Sequence, residues 1–245
     1  MTTKSQKSAK PPLLFIHGFR GAPSGLEAIA KEFPDYDVHI PNIPPSGIEA
    51  LDAYDVKHYT AFISRYIREN DLKNPVLVGH SMGSIIAAAV ANRFPKLINN
   101  KIIFLAPITK KIIRPIAWLS PLIFVMPNRL ASSIINRFLF VPKYNEYLYK
   151  ATLEEAADGA KQYTSRVDLA KSAHFSSSHN VNIFKLHKKP LIISGEKDRI
   201  VPCKATQKYA KNVDAELYFI PGAGHLLNYE EPKVVARLMR RFLEK

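Results

Sequence analysis

Between Pro75 and Val90 a short apolar run, a glycine-flanked serine and a run of small residues follow one another: Pro75-Val-Leu-Val-Gly79-His80-Ser81-Met82-Gly83-Ser84-Ile-Ile-Ala-Ala-Ala-Val90. The apolar residues read as a buried strand, and the Ala/Ile run as a helix lying close against a sheet. A strand that must become a helix through Gly-x-Ser-x-Gly has room only for a sharp turn. Such a turn projects the serine hydroxyl clear of the sheet, and glycines two before and two after it let the backbones approach that closely. Ser81 then stands at a helix N-terminus, where the dipole and the unpaired N–H groups favour negative oxygen and the N–H of Met82 points to where an oxyanion would form.

Strands and helices alternate on both sides of this stretch. Pro11 to Ile16 is an apolar strand running into the loop His17-Gly18-Phe19-Arg20-Gly21, and a helix is predicted over Ser24–Phe33. Tyr36–Pro41 reads as a second short strand and the proline-rich Asn42–Gly47 as loop. Asp55–Asn70 carries Val56, Tyr59, Ile63 and Ile67 three or four residues apart, which predicts an amphipathic helix. Pro95 closes the helix after Ser81. Strand Lys101–Ala106, strand Pro190–Ser194, helix Lys204–Asn212, strand Ala215–Ile220 and helix Glu231–Glu244 complete the series. This alternation predicts an α/β fold: a mostly parallel, doubly wound sheet with right-handed crossovers and ligands at the carboxyl ends of the strands.

Only Pro107–Lys189 breaks the rhythm. It is far longer than an ordinary connection of about 4–6 residues, and its composition is apolar and helical. The chain therefore divides into a flexible basic tail over 1–10, a core over 11–106 and 190–245, and an inserted helical subdomain over 107–189.

At 245 residues with 47% hydrophobic side chains the chain suits one large globular domain. The longest uncharged apolar stretch, Pro115–Met126, is shorter than the ~20 residues a membrane-spanning helix needs. Residues 1–10 carry lysines without an apolar core, so no secretory signal is expected. A single cysteine, Cys203, reads as a packing residue; it leaves no internal disulfide and fits a reducing, cytoplasmic setting. Lys and Arg number 35 against 21 Asp and Glu, a formal charge of +14. No nucleic-acid motif accompanies that charge, and a nucleic-acid partner is not expected. Pro107–Lys189 holds 13 Lys/Arg against 5 Asp/Glu, which is +8 of the +14. A solvated surface is the ordinary reading of such charge.

A neutral serine hydroxyl is a poor nucleophile and needs a base beside it and an acid to orient the base. Gly195-Glu196-Lys197-Asp198-Arg199-Ile200-Val201-Pro202 offers carboxylates in the loop after a strand, and Pro221-Gly222-Ala223-Gly224-His225-Leu226 offers an imidazole after the last strand. With the His17-Gly18 loop and the Gly79–Gly83 turn, these segments resemble the α/β-hydrolase family, in particular its capped esterase and lipase-like members. The motifs occur in the family's order, serine then aspartate then histidine.

The resemblance implies Ser81 as nucleophile, His225 as general base and then acid, and Asp198 as the group that holds the imidazole, with Glu196 two residues away as the rival acid. It implies an oxyanion hole from the backbone N–H groups of Phe19 and Met82, and a serine hydrolase that cleaves carboxylic esters through an acyl-enzyme. It also implies that the insertion forms a cap over the site, with apolar lining for an acyl chain drawn from Ile112–Met126, Ile134-Ile135 and Phe138–Phe140. Two departures stand out. The strand pair that many members carry before the His-Gly strand has no room here, which leaves a sheet of about six strands. The usual glycine-rich turn after the next strand is replaced by Ile43-Pro-Pro-Ser-Gly47.

The same triad serves carbon–carbon bond hydrolases and lyase-type members acting on acidic substrates, and a non-catalytic ligand-binding member is a third reading. The remaining histidines are expected to be structural (His17, His80) or to lie on surfaces or in the insertion (His39, His58, His174, His179, His187). No pair of them has the spacing of helix-borne metal ligands, so neither a metal nor a cofactor is expected. If Lys110, Lys111, Arg114 and Arg129 face outward beside Trp118 and Phe124, the cap should also touch anionic membrane surfaces weakly.

Overall fold

The structure is a computed structural model, and it describes residues 10–47, 49–110 and 165–245. Six strands form one sheet: β1 (Leu13–Ile16), β2 (Val38–His39), β3 (Val76–His80), β4 (Ile102–Leu105), β5 (Leu191–Gly195) and β6 (Glu216–Ile220), in the order β2-β1-β3-β4-β5-β6 with every pairing parallel. The order reverses between β1 and β3. Adjacent connections there leave in opposite directions and open a crevice at the carboxyl ends of the two strands.

The inner strands β1, β3, β4 and β5 are buried along their whole length because both faces are covered. Along β1, Leu14 and Ile16 join one hydrophobic cluster, whereas Leu13 and Phe15 join the other. The first cluster takes α2 (Val56–Glu69), α3 (Met82–Arg93), α4 (Arg166–Ser178) and α5 (Cys203–Asn212) through Tyr59, Ile63, Ile85, Ile86, Phe175 and Tyr209. The second takes α1 (Ser24–Ala30), α6 (Leu227–Glu230) and α7 (Pro232–Leu243) through Leu26, Ile29, Leu227, Val235 and Met239. Each such side chain, fully buried, contributes about 1.5–3 kcal/mol.

The predicted elements are present with ends shifted by a few residues, as expected where caps and local geometry decide the last turn. Two differ more. The strand predicted over Tyr36–Pro41 is reduced to Val38–His39 at the sheet edge, where only one neighbour can pair with it. The four-residue helix α6, which follows His225, has too few residues to show a helical period.

The excursion after β4 is described only at its two ends. These meet: Val181 N–H donates to the Ile108 carbonyl at 2.9 Å, and Asn182 donates through Nδ2 to the carbonyl of Thr109. Helix α4, on the return path, packs Phe175 into the core against Tyr59, ring centroids 4.7 Å apart. Residues 111–164 lie outside the described residues, and with them the expected apolar lining and Lys111, Arg114, Arg129, Trp118 and Phe124. Residues 1–9 of the expected tail lie outside as well, while Lys10 pairs with Asp35. No helix among the described residues is long and apolar enough to cross a membrane.

Candidate active site

Ser81 sits between β3 and α3 with φ 52° and ψ −118°. That backbone region is left-handed and costs a non-glycine residue of order 1–3 kcal/mol. Packing around the turn holds it there. A β-carbon on Gly83 would lie 2.0 Å from the Ile16 carbonyl oxygen, so only glycine lets the first turn of α3 rest on the end of β1. Ser81 N–H donates to the Leu105 carbonyl at 3.0 Å, tying the turn to β4. Although Ser81 occupies the position before the helix, its hydroxyl makes no cap hydrogen bond. Instead Ser81 Oγ lies 2.8 Å from His225 Nε2.

On the other side of the imidazole, Nδ1 lies 2.8 Å from Asp198 Oδ2. The second oxygen of Asp198 accepts the N–H groups of Ile200 (2.8 Å) and Val201 (2.9 Å). Burial alone would push this carboxyl up; the imidazole and the two N–H donors outweigh it, and its pKa ends below the ordinary value. Asp198 is therefore an ionised carboxylate at neutral pH. His225 must then carry its proton on Nδ1, leaving Nε2 bare to accept from Ser81. Glu196, the rival acid, is exposed and accepts Gly222 N–H at 3.3 Å. Of the two carboxylates, Asp198 is the one against His225.

Two further histidines are buried beside the serine. His17 Nε2 accepts Ile43 N–H at 2.9 Å, which places the ring proton on Nδ1, 2.9 Å from the Gly18 carbonyl. His80 Nε2 lies 3.1 Å from the carbonyl of His225 and must be the protonated nitrogen, because a carbonyl only accepts. Burial lowers His17 to about 4. Burial and the neighbouring His225 lower His80 to about 3. Both rings are neutral struts at physiological pH.

The His17 strut braces the loop that carries Phe19. A β-carbon on Gly18 would sit 3.0 Å from Ser81 Cβ, so this loop passes directly beside the serine. The unusual Ile43–Gly47 segment closes the same side. Its Pro44 carbonyl accepts from the Tyr59 hydroxyl at 3.0 Å, and Ser46 Oγ donates to the Gly21 carbonyl at 2.8 Å. Tyr59 and Ser172 carry this wall to the far side. With the Tyr59 proton given to Pro44, Ser172 donates to the Tyr59 oxygen at 2.9 Å, and its own oxygen lies 3.6 Å from Met82 Sδ. Helix α4 is thus seated against the residue next to Ser81. Tyr59 was legible only as a helix-face residue, and neither it nor Ser172 carries a local signal of this contact. Among the described residues no group of three or more His, Cys, Asp or Glu side chains is gathered to hold a metal ion.

A parallel sheet with a serine on a strained strand-to-helix turn, and with an acid and an imidazole on later loops of the same edge, defines an α/β-hydrolase. A model of the alpha/beta hydrolase family matches residues 13–238, and the chain belongs to that family. It is 27% identical over 249 residues to the "Putative esterase/lipase 2" of Mycoplasma pneumoniae, spanning 94% of this chain and 88% of that protein. A stretch of 107 residues is 31% identical to the "Putative esterase/lipase 3" of Mycoplasma genitalium, which is 43% of this chain and 39% of the relative. Among solved structures, an esterase from Exiguobacterium antarcticum shares the fold with a TM-score of 0.82 over 97% of this chain and 93% of that one, at 17% identity.

Proposed function

We propose that this chain is a serine hydrolase that cleaves carboxylic esters through an acyl-enzyme. The observation that carries the reading is the line of hydrogen bonds Ser81–His225–Asp198, 2.8 Å at each step, with the imidazole and carboxylate buried. The esterase/lipase names of its relatives agree with it.

In this reading Ser81 Oγ attacks the ester carbonyl carbon while its proton passes to His225 Nε2. The carbonyl electron pair moves to oxygen, and the N–H groups of Phe19 and Met82 receive that oxyanion. Asp198 holds the imidazole in the required tautomer and stabilises the imidazolium as it forms. When the tetrahedral centre collapses, the alkoxide leaves with the proton from His225. Water then repeats the sequence on the acyl-enzyme, giving its proton to His225 and releasing the acid and Ser81.

The test is a fluorophosphonate probe read by intact mass, run beside turnover of p-nitrophenyl esters of increasing chain length. One adduct on the native protein and none on Ser81→Ala is the expected result. Native protein without an adduct, or labelling that survives the substitution, overturns the proposal. Turnover of diacidic carbon–carbon substrates in preference to every ester would move the chain to the alternative chemistry on the same triad.

A further inference from the structure

The imidazole of His225 is held at both nitrogens, and the backbone from Ala223 to His225 is held as well. The N–H of Gly224, immediately before it, donates to the carboxylate of Glu230. The carbonyl of His225 itself accepts from His80 Nε2 at 3.1 Å. The carbonyl of Ala223, in the same peptide group as the Gly224 N–H, accepts Lys197 N–H from the acid loop at 2.7 Å.

Both side chains in this arrangement are buried, Glu230 at 6% exposure and His80 at 6%, and each belongs to an element packed into the fold. Glu230 ends α6, whose Asn228 donates to the Gly25 carbonyl of α1 at 2.7 Å and whose Leu227 is fully buried. His80 ends β3 and is the residue bonded to Ser81. The strand that delivers the serine therefore also grips the backbone of the base, through a contact involving neither reacting atom.

We propose that Glu230 and His80 are positioning residues that hold the Ala223–Gly224 peptide and the His225 carbonyl, fixing the backbone before and after the His225 Cα, and so set the distance between Nε2 and Ser81 Oγ. This rests on the reading of Ser81 and His225 as nucleophile and base. A side chain on a loop can swing by an ångström without losing its fold, and a misplacement of that size costs about 10²-fold in rate. The clamp removes that freedom. A carboxylate accepting a backbone N–H makes a shorter and stronger bond than a neutral acceptor, and the neutral, Nε2-protonated form of His80 is the one that can donate while staying uncharged in the interior.

The experiment compares wild type with Glu230→Ala, Glu230→Gln, His80→Phe and His80→Gln. It reads kcat and KM on a p-nitrophenyl ester, the urea midpoint, and the downfield proton resonance of the His225 Nδ1–H. Glu230→Ala and His80→Phe should each lower kcat about 10- to 100-fold with KM within about twofold, and should broaden or move the resonance. Each glutamine variant keeps a group able to make the bond and should recover kcat to within about threefold of wild type. Wild-type kcat and an unmoved resonance in both Glu230→Ala and His80→Phe would overturn the clamp, as would glutamine variants no better than the deletions. Should Glu230→Ala fail to fold, the His80 pair decides alone. If wild type turns over no ester while the resonance responds as described, the hydrolase reading falls and the clamp stands.

Discussion

Helices α2 and α3 pack side by side on the same face of the sheet, yet they begin in opposite ways. Asp55 precedes α2 in an extended conformation, φ −136°, and its carboxylate accepts His58 N–H at 2.9 Å. The helix then turns one face inward with Tyr59, Phe62, Ile63 and Ile67. At the corresponding position before α3, Ser81 has a residue type suited to capping but sits at φ 52° and makes no cap bond, while Met82 to Ala91 are all buried. The missing cap costs about 1 kcal/mol and the strained turn of order 1–3 kcal/mol. Burial of Ile85, Ile86 and Val90, at roughly 1.5–3 kcal/mol each, exceeds that cost. Helix α2 is capped for stability. In α3 all-round burial supplies the stability, and the serine hydroxyl is left for His225.

Breaking the Ser81 end of this contrast should have the largest effect. Under the proposed function Ser81→Ala or His225→Ala lowers kcat by about 10⁶, and Asp198→Asn by roughly 10⁴. Glu196→Gln should leave hydrolysis near wild type. Steady-state ester kinetics check all four, and loss of activity in Glu196→Gln rather than Asp198→Asn would reverse the roles of the two acids.

The buried histidines at the turn should make stability depend on pH. His17 and His80 titrate at about 4 and about 3 in the folded protein against an ordinary value of 6.5. Below pH 6.5 the unfolded chain takes up protons that the folded chain refuses. Stability should accordingly fall as pH drops from about 6.5 towards 4, at about 1.4 kcal/mol per pH unit for each histidine once the pH is well below 6.5. Asp198, held below its ordinary 3.8, adds its loss only under that value. Urea midpoints at pH 7, 6 and 5 should show this slope, and His80→Gln should reduce it to about half. An unchanged slope would mean that His80 is not the group responsible.

The smallest effects are the most direct comparison of the two helix starts. Ser81→Gly should abolish labelling but raise stability by about 1 kcal/mol, because glycine adopts the left-handed turn without strain. Asp55→Ala should do the reverse, lowering stability by about 1 kcal/mol while kcat stays at the wild-type value. Thermal or urea unfolding beside ester turnover separates the two, and a stability loss in Ser81→Gly would show that the turn stores no strain.

Much of the candidate site is legible in the sequence because its parts are local in the chain. Gly79 and Gly83 mark a turn that other residues cannot make, the apolar run before them is a strand of ordinary length, and the acid and imidazole loops each follow a strand of the same kind. Parallel strands deliver their following loops to one edge, so the order of elements alone brought Ser81, Asp198 and His225 to a common side. The sequence left Glu196 as a rival, and burial distinguished the two: Asp198 turns inward to two backbone donors and the imidazole, while Glu196 stays in solvent.

What depended on long-range packing could not be read in the same way. His80 looks like any residue inside the motif, and its use against the His225 carbonyl spans 145 positions of chain. Ser172 reaches Met82 across 90, and Glu230 lies in a helix of four residues, too short to announce itself. Hydrophobic period and glycine spacing are properties of neighbouring residues, so the sequence by itself determined the alternating strands and helices, the strained turn and the edge on which the chemistry collects. Which buried polar groups find one another depends on the distance between elements after the two cores have closed on the sheet. Only the tertiary structure decided which carboxylate lies against His225, the tautomers of three histidines and the ties that hold His225 in place.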